Sequence, residues 1–274
     1  MKIETIEERK RRIGLCQIAM TKSVRAARGS VQEFIPLIIR NDHGVPLSLS
    51  PMHLQWIAHV NYCWERGLRA IVLAHFGSGK SSTLAVPLAC HLLGTDPNLR
   101  LKVVTNDNDN AMKRVNAIKR IIESPPYSMV FPNVEEGEKW TNHELYLKRS
   151  GFAIDPSVQA RGVMTTGIGG RADVILFDDV CDQKNSMDTN QRRKVLSLIE
   201  ETWLSRLEPD GRVLWIATVW HQDDATHHLM KREGWCTLVQ KVSDDCSCIE
   251  QEVVGEQGGY PSVIAEVGSN VGLG

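Results

Sequence analysis

Residues Ala74-His75-Phe76-Gly77-Ser78-Gly79-Lys80-Ser81 stand between a short apolar run and a helical pattern, a context that suits a loop wrapped around phosphate. Gly77 and Gly79, with Ser78 between them, let backbone N–H groups turn inward around an anion. The helix that begins at Ser81-Ser82 points its positive end at the same place. Lys80 then reaches the β- and γ-phosphates of a nucleotide, and Ser81 offers a hydroxyl ligand to Mg2+. Ala74 stands where the strict motif has its first glycine. The same residues therefore read equally as a glycine-rich strand-to-helix turn with a solvated lysine.

Further along, Val174-Ile175-Leu176-Phe177-Asp178-Asp179 is an apolar strand ending in two acids. The first acid can hold Mg2+, and the second can orient or deprotonate a water opposite the γ-phosphate. Alone, the pair is also what a capped loop with solvated carboxylates looks like. A third strand, 213–218, ends in Thr218, a polar tip able to sense the γ-phosphate through the attacking water. Loop, acids and threonine each fall at the carboxyl end of an expected strand, where ligands bind in open α/β sheets. Jointly they point to nucleotide hydrolysis.

The loop Ala74–Ser81, the lead Gly170-Arg171-Ala172-Asp173 into Asp178-Asp179, and Thr218-Val219-Trp220-His221-Gln222-Asp223-Asp224 together resemble the ATPase domain of tailed-phage terminase large subunits. The likeness runs over residues 45–235, and the Trp-His-x-Asp-Asp stretch is its more specific part. It implies a RecA-like P-loop ATPase of the additional-strand, catalytic-carboxylate class, within a motor that drives viral DNA into an empty capsid. Carried over by position, Lys80 and Ser81 are the phosphate and Mg2+ residues, Asp178 the metal-side acid, Asp179 the catalytic carboxylate and Thr218 the coupling residue. ATP is the implied substrate. The implied partners are duplex DNA, the portal, the small terminase subunit and further copies in a homo-oligomeric ring on the capsid, in the host cytoplasm and without a membrane.

Two departures from the family pattern matter. Phe76 stands near a position where family loops often carry arginine, and Asp179 is one methylene shorter than the usual glutamate. An arginine is then expected from elsewhere. Arg171, beside the glycine-rich stretch 167–170, is the first candidate to reach a neighbouring subunit's nucleotide, and Arg161 is the second. The plain reading of Arg171 is a surface residue paired with Asp173. Gln55 resembles the glutamine that reads adenine in related motors, although glutamines on helix surfaces are usually just solvated. The competing functional readings are another P-loop DNA-dependent ATPase, helicase or partition motor, and a degenerate nucleotide-binding scaffold.

The elements that must position these residues follow from periodicity. An α/β order is expected: strands at 69–74, 101–105, 173–177 and 212–219, helices at 81–93, 110–122 and 191–204, and hence a mostly parallel sheet covered on both faces. Ser50-Pro51 starts a helix that runs toward Gly67, and Gly94 and Pro125-Pro126 stop two others. An amphipathic helix over 3–28, with Ile3, Ile6, Ile13 and Ile18 on its apolar side, and a second short helix capped by Ser30 with Glu33 form an N-terminal helical arm, 1–48. The ATPase domain is expected over 49–241. Residues 242–274 read as an acidic linker and tail without the family's nuclease domain.

Composition bounds these readings. The chain has 274 residues, 42% hydrophobic and 24% charged, which is ordinary for a globular protein. Its net charge of −1 argues against coating nucleic acid by bulk charge. Basic clusters at Arg9–Arg12, Lys113-Arg114, Lys119-Arg120 and Arg192-Arg193-Lys194 are candidate DNA-phosphate contacts, and each is also what a solvated helix face looks like. Seven cysteines with no Cys-x-x-Cys pair indicate neither a disulfide framework nor a zinc ribbon.

Overall fold

In a strand covered on both faces, apolar side chains must follow one another without alternation, and Arg69–Leu73 and Ala172–Asp178 show that pattern. The computed structural model, which describes residues 6–165, 169–242 and 248–254, makes them β1 and β6 of one sheet. Ahead of β1 run α1 (Ile6–Gly29), α2 (Val31–Ile38) and α3 (Pro51–Glu65). After it come a widened helical turn, Lys80–Ala85, continuing as α4 (Val86–Thr95), then β2 (Leu101–Thr105), α5 (Asn108–Ile122), α6 (Pro125–Val130), β3 (Glu136–Trp140), β4 (Glu144–Leu147) and β5 (Val158–Gly162). Beyond β6 lie α7 (Gln183–Ser186), α8 (Thr189–Ser197) prolonged by tighter and wider turns to Arg206, β7 (Leu207–Ala217), α9 (Ala225–Leu229), β8 (Trp235–Val242) and β9 (Cys248–Val254).

The strand order is β3-β4-β5-β2-β6-β7-β1-β8-β9. The six strands from β5 to β8 are parallel, with antiparallel β3 and β4 at one edge and β9 at the other. The mixed α/β fold with a mostly parallel sheet is the one expected. Successive residues of β1 serve opposite faces: Ala70 and Val72 pack with α2 to α6, and Ile71 and Leu73 with α8, Trp203 and α9. Registers Asp178↔Ile216 and Leu73↔Ala217 bring the carboxyl ends of β6, β7 and β1 level, so that the residues following them share one rim.

Several local expectations are corrected. Ile13 and Ile18 on α1 are exposed, so that helix has no apolar side turned to the protein at those positions; Ile3 lies outside the described residues. Ser30 makes no side-chain cap to α2, and the helix ends soon after Pro36. Gly94 does not stop α4, which runs on to Thr95. A Cβ at Gly94 would come within 2.3 Å of the Phe131 ring, so the glycine is there for close packing. Pro125-Pro126 begins α6 as well as ending α5. Strands β3, β4, β5 and β8 were not expected at all. Residues 248–254 pair with β8, and the rest of the expected tail, 243–247 and 255–274, lies outside the described residues, as does Gly167. Among the described residues no helix is long and apolar enough to cross a membrane.

Candidate active site

The rim above β1, β6 and β7 gathers most of the residues singled out in the sequence. β1 leads into the loop, where Gly77 and Gly79 adopt left-handed φ of 79° and 80°. Any side chain is strained at Gly79, and a Cβ there would also meet Thr83 Oγ1 at 2.8 Å. The loop then enters the helix through its widened turn. Pro87, close behind, has no N–H to give to a regular ladder. Ser78 is buried and its hydroxyl donates to His75 O at 2.8 Å, while the Ser82 hydroxyl donates to Gly79 O at 3.2 Å.

Lys80 is 5% exposed, which removes the reading of a solvated lysine. Its Nζ donates to Ala74 O (3.0 Å), His75 O (2.8 Å) and Thr218 Oγ1 (2.9 Å), three neutral oxygens. Burial pushes its pKa down, and the nearby Asp179 and Asp178 carboxylates oppose that shift. A buried ammonium held by dipoles at the head of a helix is built to meet an anion.

The two acids diverge although they are adjacent. Asp178, 1% exposed, accepts the Ser81 hydroxyl at 2.9 Å on Oδ1. Asp179 has φ +49°, a left-handed turn at the strand's end, and its Oδ1 accepts Thr218 N–H at 3.1 Å. Burial raises the Asp179 pKa, with a further rise from the Asp178 carboxylate and an opposing effect from Lys80. Lys80, Thr218 and Asp179 thus form one hydrogen-bonded set and Ser81 and Asp178 another, the two held side by side because 80–81 and 178–179 are chain neighbours.

Other expected residues lie elsewhere. Arg171 is exposed at the amino-terminal end of β6, with the length of the strand, about 20 Å, between it and Asp178. Its backbone N–H donates to Asp155, while Asp173 pairs with Arg100 at 2.7 Å instead of with Arg171. Arg161, on β5, pairs with Glu144 at 3.1 Å. Gln55 is half-buried with no hydrogen bond among the described residues. Two positions before it on α3, and so on another side of the helix, His53 instead holds the loop through Nε2 to Ser78 O at 3.2 Å. Its pKa is lowered chiefly by burial.

Three further residues take parts that the sequence analysis did not give them. His53, which holds the loop, is the first. Arg114 was grouped with DNA contacts, yet its Nε donates to Asp178 Oδ2 at 2.5 Å and its Nη2 to Ser81 Oγ at 3.1 Å. A signal was available: Ala111, Val115, Ile118 and Ile122 form the buried stripe of α5, and position 114, three after 111 and four before 118, borders that stripe. Asp224, in the Trp-His-x-Asp-Asp stretch, is fully buried and caps α9, accepting His227 N–H at 3.1 Å and the Trp220 and His221 N–H groups at 3.4 Å.

No family model matches the chain. In sequence it is 26% identical over 171 residues to the terminase large subunit of Enterobacteria phage T3, a match spanning 62% of this chain and 29% of that subunit. In structure it is similar to the HK97 bacteriophage large terminase, with a TM-score of 0.52 and 14% identity over 73% of this chain and 40% of that one. The chain thus spans well under half the length of either relative. At that identity the second likeness is one of fold. The resemblance to phage terminase large subunits that the motifs carry is met in sequence by the T3 subunit and in fold by the HK97 one.

Proposed function

We propose that this chain is the ATP-hydrolysing motor module of a phage terminase large subunit, a RecA-like P-loop ATPase that translocates duplex DNA into a procapsid. The observation that carries the reading is the gathering of two adjacent hydrogen-bonded sets, Lys80–Thr218–Asp179 and Ser81–Asp178, above the parallel strands.

Each residue has a role that its surroundings support. The loop N–H groups and the Lys80 ammonium neutralise the phosphate oxygens, an effect strengthened where water is kept out. Ser81 and Asp178, a hydroxyl and a carboxylate, are hard oxygen donors of the kind Mg2+ prefers and would hold it; there it would supply Lewis-acid charge neutralisation. Asp179, with its pKa raised by burial, suits a base that orients and deprotonates water. Thr218 touches both Lys80 and, through its N–H, Asp179, and so can relay a change at the phosphate into β7. Ring assembly on a portal, the small subunit and duplex DNA as partners belong to the same proposal, as does Arg171, whose exposure leaves it free to serve a neighbouring copy.

The test separates binding from turnover. Lys80→Ala should lose ATP hydrolysis while melting at the wild-type temperature or above, since a buried ammonium is removed. Asp179→Asn should bind nucleotide and fail to turn it over. Binding without hydrolysis by the wild-type chain would favour the degenerate-scaffold reading.

A further inference from the structure

Arg114 is the charged residue of this rim to which neither the family resemblance nor the proposed chemistry gives a part. Its backbone is fixed: Asp107 caps α5 by accepting Asn110 N–H at 2.7 Å, and Ala111, Val115 and Ile118 are buried under the sheet. Its side chain is freer, 28% exposed. The guanidinium closes a triangle in which Nε donates to Asp178 Oδ2, Nη2 donates to Ser81 Oγ, and Ser81 Oγ donates to Asp178 Oδ1. Each carboxylate oxygen of a buried aspartate thereby accepts one hydrogen bond, and one of the two lone pairs of the serine hydroxyl is engaged.

These are the oxygens that a divalent cation would use. The Ser81 hydroxyl keeps one lone pair when it accepts from the guanidinium and donates to the carboxylate, so the competition is one of charge and space: two cations on one buried carboxylate repel each other. We infer that Arg114 is a metal-exchanging positioning residue: its guanidinium and the divalent cation are alternative partners of the Ser81–Asp178 pair, so that entry of metal with nucleotide turns the guanidinium out toward the phosphate end of the rim. The inference rests on the Mg2+ and ATP reading of the site. It has two consequences. Asp178 is never buried without a positive partner, which would be costly. The displaced arginine also supplies, from the same chain, the positive charge that the exposed Phe76 in the loop does not.

The test uses the full chain and Mn2+ as the probe, with free Mn2+ followed by its electron paramagnetic resonance signal in the presence of ADP. Arg114→Gln removes the competing cation and should bind Mn2+ about tenfold more tightly, the size of one charge-assisted hydrogen-bonded pair. Its turnover at saturating MgATP should fall at least about a hundredfold, with no rise in KM. Arg114→Lys keeps a positive charge beside Asp178 but loses the fork. It should fold even if the glutamine variant does not, bind Mn2+ more tightly than wild type and recover part of the lost turnover. Unchanged or weaker Mn2+ binding in the folded variants, or full turnover in either, would overturn the inference. Failure of the underlying reading looks different: Lys80→Ala would then hydrolyse ATP at the wild-type rate whatever Arg114 does.

Discussion

Asp224 belongs to the stretch most specific to the terminase resemblance, yet its surroundings make it a structural residue. Its carboxylate is fully buried and holds the turn 220–224 and the start of α9 together through three backbone N–H groups and the His227 ring at 3.0 Å. Asp224→Ala removes a helix cap, about 1 kcal/mol. It also strands the N–H groups of Trp220 and His221, about 1 kcal/mol each given their long 3.4 Å bonds. The sum of roughly 3 kcal/mol should lower Tm by about 6–12 °C in a protein of this size. Asp224→Asn keeps an accepting oxygen for His227 N–H and should lose about half as much. Urea denaturation gives the stability change, and ATP turnover is normalised to the folded fraction at a temperature where both variants are native. The expected result is a lower midpoint with turnover per folded molecule close to wild type. An unchanged midpoint together with lost turnover would refute the argument and place Asp224 in the chemistry.

Other outcomes follow from single contacts. His59 is buried and bonded to Ile71 O and Cys236 O, and burial lowers its pKa to about 4. The unfolded chain takes up this proton near pH 6.5 and the folded one only near 4, so stability is full above 6.5 and should fall by about 2 kcal/mol between pH 7 and 4.5; urea titrations should show that slope flattened in His59→Gln. Gly94→Ala, which stabilises an ordinary helix interior, should here cost about 1–3 kcal/mol because the Phe131 ring is itself wedged against Phe34, His91 and Tyr127. Adding Phe131→Leu should return part of the loss in thermal melts. Finally, mixing Arg171→Ala with Lys80→Ala protein should restore some ATPase activity if Arg171 acts across a subunit boundary, whereas a mixture no more active than its parts would leave the arginine to come from within the chain.

Four of the six parallel strands, β1, β2, β6 and β7, were legible because burial on both faces writes itself as an unbroken apolar run, and the site residues because strand ends and glycine spacing are local signals. What could not be read was non-local. β3 carries Glu136, Glu138 and Lys139, and an edge strand facing solvent need not show apolar residues at all. Gly94 obeys a helix-stop rule in sequence, yet a ring that arrives only in the folded protein decides its role. Arg171 and Asp178 are seven positions apart in sequence and lie at opposite ends of a strand, because an extended segment converts short sequence distance into long spatial distance. Arg114 and Asp178 are far apart along the chain and share a hydrogen bond.

The shorter acid at position 179 takes on a different meaning in this light. Two adjacent residues of a regular strand point to opposite faces, so an acid after Asp178 in extended backbone would turn away from it. The left-handed turn at φ +49° interrupts that alternation and brings Asp179 Oδ1 to Thr218 N–H at 3.1 Å, inside the group that holds Lys80. Non-glycine residues pay for this conformation, and aspartate and asparagine pay least because a short polar side chain can bond to nearby backbone. Glutamate would carry the same charge one methylene farther and is less at home in that conformation. The backbone turn that aims this carboxylate therefore favours the residue that departs from the family pattern, and the missing methylene is matched to the turn.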